Sequence, residues 1–265
     1  MNTVGNPPSK RDRLDKLLVK NGLVTTRQRA QAFIMEGKVW VDGKRVEKAG
    51  VRVDAEAKVE IVGEDIPYVS RGGLKLEKAL DYWGITVGGK TFLDVGASTG
   101  GFTDCLLQRG AVSVYAVDVG YGQLAWKLQR DERVVSLERS NIRYLTREQL
   151  GVEPDSAVID VSFISLKKVV PRVVALIKES GDIVALIKPQ FEVSKGEVGK
   201  GGVVRDHQTH ERVVNEVACS AGPLGLTVNG VMESPLLGPK GNREFFIYLK
   251  KTVDAENLKT DQPAG

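Results

Sequence analysis

Two apolar segments of this chain end in charged residues that a buried strand does not need. Asp160 closes the segment "SAVID", and Lys188 closes "DIVALIK". Because the carboxyl ends of parallel strands form one edge of a sheet, where ligands bind, we expect both side chains at that edge. A lysine amine beside a hydroxyl can take up its proton, or it can stabilise the negative charge that develops on the oxygen. The sequence leaves both roles open for Lys188.

Two further charged residues are candidates for the same group. Lys75 lies in a predicted helix over residues 70–85, and Glu244 opens the late segment "EFFIYL". Taken singly, any of these charges is explained as a solvated surface group. Taken together, they predict a catalytic site in which Lys188 acts on the substrate and Asp160 lies between it and a cofactor. Lys75 and Glu244 would then position Lys188 and the substrate.

A glycine-rich loop follows the first predicted strand of this region, in "TFLDVGASTGGF" (91–102). Its glycines match neither the dinucleotide-binding spacing nor the phosphate-binding loop that ends in Gly-Lys-Ser/Thr. No basic residue accompanies the loop to hold a phosphate, and the carboxylate of Asp94 stands at the strand end. This combination favours a ligand with a cationic amino-acid portion. S-adenosylmethionine (SAM) has an ammonium and a sulfonium group and no phosphate, so the loop predicts SAM as the cofactor.

A second carboxylate supports this prediction. The segment "VSVYAVDVG" carries Asp118 at the end of the next strand. In a βαβ unit an acid at this place accepts hydrogen bonds from ribose hydroxyls. Asn141, after the third strand, is the candidate that faces the adenine. A nucleotide ligand and purely structural turns are the alternatives. The residues predicted to bind the cofactor are Asp94, Gly96, Ser98, Gly100, Gly101, Asp118, Asn141 and Asp160.

Strand and helix patterns alternate from residue 91 onward, and these elements must position the residues above. Such alternation is typical of a mostly parallel sheet in an α/β fold. A chain of 265 residues is long enough for one large domain or two unequal ones. The predicted strands cover residues 91–95, 113–118, 134–137, 157–161, 182–187, 226–232 and 245–249.

The first quarter of the chain has a different composition. Residues 1–61 hold 13 Lys and Arg against 8 Asp and Glu, whereas the whole chain has a net charge of only +4. Leucines at helical spacing from Leu14 and a hairpin turn at Asp42-Gly43 predict a small α+β module. A compact basic module beside a near-neutral domain indicates an anionic partner, most simply nucleic acid. A solubilising surface is the alternative.

The segment "RLDKLLVKNGLVTTRQRAQAFIMEGKVWVDGKRV" resembles the small RNA-binding domain named after ribosomal protein S-four. The resemblance extends over residues 11–61. It implies that the second helix and the hairpin present basic residues to RNA phosphates, which set orientation without reading sequence. A protein-docking or purely structural module is the alternative. The residues that match as RNA contacts are Arg27, Arg29, Lys38, Lys44 and Arg45.

The remainder of the chain resembles a family of RNA-modifying enzymes. The candidate catalytic residues occur in the order of the Lys-Asp-Lys-Glu tetrad of FtsJ-like RNA ribose 2′-O-methyltransferases: Lys75, Asp160, Lys188 and Glu244. The strings "SRGGLKL", "DVGASTGGF", "IDVSFISL", "IKPQFE" and "GNREFF" are similar to the TlyA family, often called haemolysin-like. The resemblance implies a Rossmann-like SAM-dependent methyltransferase fold with a seven-stranded, mostly parallel sheet. It also implies a cytidine 2′-hydroxyl of ribosomal RNA as methyl acceptor, and ribosomal RNA or ribosomal subunits as partners.

The resulting domain organisation has five parts. Residues 1–10 and 252–265 are predicted to be flexible tails. Between them we expect an RNA-binding domain over 11–61, a linker over 62–69 and a methyltransferase domain over 70–251.

Three basic residues outside the N-terminal module are further candidates for RNA contacts. Arg71 opens the predicted helix that carries Lys75. Lys195 and Lys200 lie in the glycine-rich segment 193–206. This segment is interpreted either as a lid that closes on RNA or as a disordered surface loop.

Composition argues against several other classes of protein. No apolar run reaches the length of a membrane span and no secretory signal is evident, so a cytoplasmic protein without a membrane partner is expected. Two cysteines and two histidines give no disulfide framework and no metal site. Cys105 and Cys219 are expected to be packing residues. Methylation of a cytosine carbon needs a nucleophilic cysteine, so this reaction is disfavoured.

The alternative functions are a non-catalytic RNA-binding or ribosome-assembly factor and a membrane-lytic protein. The sequence does not indicate an oligomeric state.

Overall fold

The computed structural model describes residues 11–24, 26–35, 37–48, 50–62 and 66–251. The tails predicted at both ends of the chain therefore lie outside the described residues. The chain divides into two compact units, Met1–Asp65 and Ile66–Gly265. Each unit has a hydrophobic core of its own. Tyr68, which was expected in the linker, is buried in the core of the second unit.

In the N-terminal unit, the described residues form two helices and five short strands. The hairpin was predicted, and both residues of its turn, Asp42 and Gly43, have positive φ values of 49° and 73°. This is the backbone of a type I′ turn, which matches the twist of the flanking strands. The elements are β1 (Arg11–Arg13), α1 (Leu14–Lys20), α2 (Arg27–Met35), β2 (Val39–Val41), β3 (Lys44–Val46), β4 (Arg52–Asp54) and β5 (Val59–Ile61).

The strands of this unit form two small sheets. One has the order β3-β2-β5, and the other is the antiparallel pair β1-β4. The sequence did not predict β1, because three charged residues at Arg11–Arg13 carry no apolar alternation and become a strand only by pairing with β4.

A buried carboxylate ties the first strand and both helices of this unit together. Asp15 has no exposed surface and accepts hydrogen bonds from Arg13 at 3.0 Å, from Arg27 at 2.8 Å and from Gln31 at 2.8 Å. The hydrogen bond from Arg13 is the main cause that holds the pKa of Asp15 well below its ordinary value. A buried charge that is fully paired in this way stabilises the unit only as long as its partners remain.

The second unit contains the seven-stranded sheet that was predicted. Its strand order is β11-β12-β10-β9-β6-β7-β8, and β12 runs antiparallel to both of its neighbours while the other strands are parallel. The elements are α3 (Arg71–Trp83), β6 (Thr91–Val95), α4 (Gly101–Gln108), β7 (Ser113–Val117), α5 (Trp126–Gln129), β8 (Val134–Leu137), α6 (Arg147–Leu150), β9 (Ser156–Ile159), α7 (Val170–Leu176), β10 (Asp182–Ile187), α8 (Pro189–Glu192), α9 (His207–Cys219), β11 (Leu226–Glu233) and β12 (Phe245–Lys251).

Helices cover both faces of this sheet. Helices α7 and α9 pack on one face, and helices α3 and α4 pack on the other. The central strands therefore read as continuous apolar runs, since both of their faces are buried. Cys105 of α4 is part of this core, as predicted, whereas Cys219 is exposed at the end of α9, so the packing role predicted for it is wrong. In the described part of the chain no helix has the length and apolar character needed to cross a bilayer.

The reversed strand β12 brings a distant residue to the functional edge of the sheet. Its first residue, Phe245, pairs with Ile187, the last residue of β10. The amino end of β12 therefore lies beside the carboxyl end of β10. This register places Glu244, which precedes β12, next to Lys188, which follows β10.

Candidate functional site

A cavity of about 670 Å³ opens at the carboxyl edge of the parallel strands. Its walls are the loops that follow β6, β7, β8 and β9. This is the position at which open α/β sheets bind ligands. The residues predicted to bind the cofactor that line the cavity are Gly96, Ser98, Asp118, Asn141 and Asp160.

Asp118 joins two loops of the cavity wall. One carboxylate oxygen accepts a hydrogen bond from the backbone N–H of Ser98 at 2.8 Å, and the other accepts from the N–H of Gly120 at 2.7 Å. Each oxygen retains a second lone pair, so the carboxylate can also accept hydrogen bonds from ligand hydroxyls. The carboxylate therefore fixes the loop after β6 and faces the cavity with unused acceptor capacity.

The glycines of the loop after β6 serve two different purposes. Gly96 has φ of 86°, and a Cβ there would lie 2.4 Å from the carbonyl oxygen of Asp160, so the close approach of two strand ends requires glycine. Gly100 and Gly101 do not line the cavity. A Cβ on Gly100 would lie 2.3 Å from the Leu128 side chain, and one on Gly101 would lie 2.2 Å from the Ser70 hydroxyl. At these two positions glycine allows α4 to pack closely against its neighbours.

Asp94 is fully buried and one of its oxygens is unused. Oδ2 accepts a hydrogen bond from the Thr103 hydroxyl at 2.6 Å, while Oδ1 has no hydrogen-bond partner among the described residues. Burial raises the pKa of Asp94 to about 7, and the nearby charges of Asp160 and Asp118 act in the same direction. A buried carboxylate oxygen without a donor is suited to a cationic or N–H group of a ligand, which fits the ammonium of SAM.

Asn141 uses its side-chain oxygen within the protein. The oxygen accepts a hydrogen bond from the N–H of Arg143 at 3.1 Å and caps the short turn over 142–144. Asn141 nevertheless lies on the cavity wall, as expected for a residue that faces the adenine.

The candidate catalytic residues form two ion pairs. Lys188 Nζ lies 2.5 Å from Asp160 Oδ1 and donates a hydrogen bond to the Ser162 hydroxyl at 3.1 Å. Lys75 Nζ donates a hydrogen bond to Glu244 Oε2 at 2.6 Å. Asp160 and Ser162 line the cavity, whereas Lys188 stands behind them with 9% of its surface exposed. The lysine amine therefore contacts two side chains that line the cavity.

The second ion pair is buried and tightly packed. Lys75 and Glu244 expose 7% and 1% of their surfaces. A Cβ on Gly238 would lie 2.0 Å from Glu244 Oε1, so the loop before β12 passes directly over the carboxylate. Glu244 Oε1 has no hydrogen-bond partner among the described residues. The carboxylate therefore has one oxygen held by Lys75 and one that is buried under this loop.

Ser162 and Phe163 are among the residues of the cavity wall that were not predicted from the sequence. Ser162 contacts Lys188, and Phe163 is 91% exposed with φ of 64°. The Phe163 ring lies 4.9 Å from the ring of Phe191. An aromatic residue three positions beyond the polar end of an apolar strand is a signal for a surface role, since no core position explains it.

The basic residues predicted to contact RNA in the N-terminal unit differ in their surroundings. Arg27 donates to the buried Asp15, so its guanidinium has a structural partner. Arg29 and Lys38 both lie close to one aromatic ring, at 4.8 and 5.0 Å from the centre of the Phe33 ring. Lys44 is exposed beside the hairpin turn. Arg45 forms an exposed ion pair with Glu47 at 2.8 Å.

The predicted RNA contacts of the second unit lie in different places, with Arg71 at the start of α3 and the two lysines in the segment 193–206. Arg71 donates a hydrogen bond to the carbonyl of Leu237 at 3.4 Å, which connects the start of α3 to the loop before β12. Lys200 is exposed, and the side chain of Lys195 lies outside the described part of the structure.

The glycine-rich segment 193–206 has a defined fold. Gly199 and Val203 form a β-bridge, and the Asn242 side chain accepts from the N–H of Val204 and donates to the carbonyl of Gly202. The buried ring of His210 contacts the carbonyl of Val204 at 3.0 Å. Because Asn242 lies two residues before Glu244, this segment is anchored next to the second ion pair.

Comparisons with known proteins agree with this arrangement. The FtsJ-like methyltransferase family matches residues 68–251, and the S4 domain matches residues 12–59. The chain is 49% identical over 247 residues to "16S/23S rRNA (cytidine-2'-O)-methyltransferase TlyA" of Mycobacterium tuberculosis (strain ATCC 25618 / H37Rv), covering 93% of this chain and 92% of that protein.

Two solved structures are similar to the chain as well. A structure from Streptococcus thermophilus that carries the name hemolysin has 44% identity and a TM-score of 0.72, covering 91% of this chain and 89% of that one. One from Listeria monocytogenes, described as an S-adenosylmethionine dependent methyltransferase, has 17% identity and a TM-score of 0.51, covering 69% and 99%, and shows the shared fold alone. With a family match over most of its length and nearly half of its residues shared with a relative of similar size, the chain belongs to the FtsJ-like methyltransferase family and carries an N-terminal S4 domain.

Proposed function

We propose that this protein transfers the methyl group of SAM to the ribose 2′-hydroxyl of a cytidine in ribosomal RNA. The observation that carries the proposal is the Lys188–Asp160 ion pair at the wall of the cavity, backed by the buried pair Lys75–Glu244. The name of the Mycobacterium tuberculosis relative supports the choice of acceptor. A ribosomal substrate also supports a cytoplasmic location, with ribosomal RNA or ribosomal subunits as partners.

The residues around the cavity have the chemistry to hold SAM. When bound, SAM supplies an electrophilic methyl group on a sulfonium. Asp118 lines the cavity and accepts hydrogen bonds from the ribose hydroxyls of the cofactor. Asp94 does not line the cavity, but its buried oxygen, which has no partner among the described residues, is suited to the cationic end of the cofactor. Gly96 and Ser98 form the loop against which the cofactor lies, and Asn141 faces the adenine.

The two ion pairs act on the methyl acceptor. A ribose hydroxyl is a weak nucleophile, so it needs a group that takes its proton or stabilises the charge that develops on its oxygen. Lys188 performs this step from behind Asp160, which orients its amine. Lys75 and Glu244 position the neighbouring part of the site, because their buried pair ties α3 to the residue before β12, next to the end of β10.

The direct test is methyl transfer to RNA. Purified protein with tritiated SAM and unmethylated ribosomal subunits should label a ribose, and mass mapping of nuclease fragments should locate the label on a cytidine 2′-oxygen. A ribosome-assembly factor that only binds RNA would bind the subunits without labelling them. That result, or a label on a base, would refute the proposal.

Replacement of Asp118 should weaken cofactor binding. We expect Asp118→Ala to lose ~1.5–3 kcal/mol of SAM affinity, as for hydrogen bonds to a charged group, which is roughly a 10- to 150-fold rise in Kd. Isothermal titration calorimetry measures the change. Asp155→Ala is the matched control, because Asp155 likewise accepts a backbone N–H, that of Thr91, but lies at the opposite edge of the sheet. Unchanged affinity in folded Asp118→Ala would remove this assignment.

We assign RNA binding to residues 11–61 and methyl transfer to residues 70–251, joined by residues 62–69. The double variant Lys44→Gln/Arg45→Gln should then bind ribosomal RNA more weakly, because a basic side chain that neutralises a phosphate releases a counterion. Removal of one such side chain should reduce the slope of log K against log salt by about 0.7–0.9. Filter binding across a salt series measures this slope. Lys178→Gln is the control, since Lys178 pairs with Asp155; equal slopes in both variants would contradict the assignment.

A further inference from the structure

One wall of the cavity is an irregular segment that the sheet alone does not hold. All six residues from Asp160 to Ser165 line the cavity, and they follow β9 without forming a helix or strand. Phe163 in the middle of this segment has a positive φ, which costs free energy for a residue with a side chain. A wall of this kind keeps its shape only where neighbouring groups fix it.

The segment Lys188–Glu192 supplies these fixing contacts. At one end of the wall, Lys188 contacts Asp160 and Ser162. In the middle, the rings of Phe191 and Phe163 lie 4.9 Å apart. The wall is therefore attached along its length to the single turn of α8 and the lysine before it.

Glu192 makes the attachment at the far end of the wall. Its Oε2 accepts a hydrogen bond from the Ser165 hydroxyl at 2.5 Å, and its Oε1 accepts from the backbone N–H of Leu166 at 2.7 Å. Leu166 is buried in the core, so its N–H has no ready replacement for this acceptor. Both oxygens of one carboxylate thus hold two consecutive residues where the wall meets the core.

We infer that Glu192 is a positioning residue for the methyl transfer, which fixes the wall formed by residues 160–165 so that Asp160 and Ser162 meet the Lys188 amine. The inference rests on the proposed function. Lys188 directly precedes the short helix α8, whose first residue is Pro189 and whose last residue is Glu192. A fixed proline φ makes this turn stiff, so the contacts of Glu192 and those of Lys188 keep a constant spacing.

The charge of Glu192 is part of this arrangement. Burial raises the pKa of Glu192, whereas the Ser165 hydroxyl, the Leu166 N–H and the charge of Lys167 favour its ionised form. An amide in its place donates where Oε2 of Glu192 accepts, and the Ser165 hydroxyl, which also accepts from the N–H of Lys167 at 3.2 Å, must turn to receive it. Glu192→Gln therefore replaces two hydrogen bonds to a charged acceptor by weaker neutral ones, while the size of the side chain is kept.

The experiment compares Glu192→Gln with a matched control. Glu216→Gln makes the same chemical change on α9, where Glu216 forms exposed contacts with Lys167 at 2.7 Å and Arg212 at 2.7 Å. Ser165→Ala removes only one of the two donors to Glu192. The measurements are thermal unfolding, hydrogen exchange of the peptide 160–168, SAM affinity by calorimetry, and kcat and KM for methylation of ribosomal RNA.

Glu192→Gln should exchange amide hydrogens of residues 160–168 at least tenfold faster and lose at least tenfold in kcat, with the Kd for SAM within about threefold of the parent protein. The exchange rate and kcat of Ser165→Ala should fall between those of Glu192→Gln and those of the parent protein. Glu216→Gln should match the parent protein in both. A folded Glu192→Gln with kcat within twofold of the parent would overturn the inference. An equal loss of kcat in Glu216→Gln would also overturn it. So would a loss of kcat in Glu192→Gln that accompanies lower thermal stability without faster hydrogen exchange of residues 160–168. If the parent protein does not methylate RNA, the proposed function fails, while hydrogen exchange still decides whether Glu192 fixes the wall.

Discussion

Lys188→Ala should abolish methyl transfer to ribosomal RNA while SAM still binds. The reason is geometric, since Lys188 contacts Asp160 and Ser162 of the cavity wall, whereas most of the groups assigned to the cofactor lie on the loops after β6, β7 and β8. General acid–base groups contribute about 10²–10⁴-fold to rates, so a loss of that size in kcat is expected. Single-turnover methylation measures the rate, and calorimetry checks SAM binding in the same preparation.

Lys188→Arg separates the two roles that an amine can play here. A guanidinium stays protonated and cannot take up a proton, but it can stabilise negative charge. Loss of activity in both variants indicates a base, and appreciable activity in Lys188→Arg indicates charge stabilisation. Lys167→Ala is the control, because Lys167 forms an exposed pair with Glu216. A folded Lys188→Ala protein that loses less than tenfold in rate would contradict both roles and leave the four residues as a structural ion network.

The buried pair Lys75–Glu244 should have the largest effect on stability. Lys75→Met leaves the Glu244 carboxylate buried without its cation, and removal of one partner of such a pair costs about 3–5 kcal/mol. The free energy of unfolding from urea titration measures this cost. We expect methyl transfer to be lost in the same variant.

The double variant Lys75→Met/Glu244→Leu tests whether the pair is kept for stability or for function. Replacing a buried ion pair by apolar residues of similar volume is often neutral or stabilising, so the double variant should recover most of the lost stability. Methyl transfer should stay absent, because the ion pair that positions the neighbouring part of the site is gone. Recovered activity in the double variant, or a cost below about 1 kcal/mol in Lys75→Met, would argue against a functional role for the pair.

The parallel sheet and its functional edge could be predicted from the sequence because they depend on local patterns. Each strand is an apolar run, and a charged residue at the end of a run, such as Asp118, Asp160 or Lys188, has a defined place once the sheet is parallel. The hairpin of the N-terminal unit follows in the same way, since Asp42-Gly43 accepts the positive φ values of its turn. Lys75 also has a local signal, because it lies four residues before the buried Ala79 on the same face of α3.

The partners of these residues were decided by the tertiary structure. Glu244 reaches Lys75 and the end of β10 because β12 inserts antiparallel between β10 and β11, and nothing in the local sequence sets that strand order. The same holds for the pairing of Arg27 with the buried Asp15 and for the packing of Gly100 and Gly101 against neighbouring side chains.

The sequence by itself therefore determined which residues stand at the ends of elements, because periodicity and turn chemistry act over a few positions along the chain. Only the tertiary structure decided which of them touch. Glu192 shows the difference: in the sequence it is one acid in "KPQFE", and in the fold it accepts from Ser165 and Leu166. Such contacts join residues distant in sequence, and their free energy depends on burial and on distances that exist only after the strands have paired.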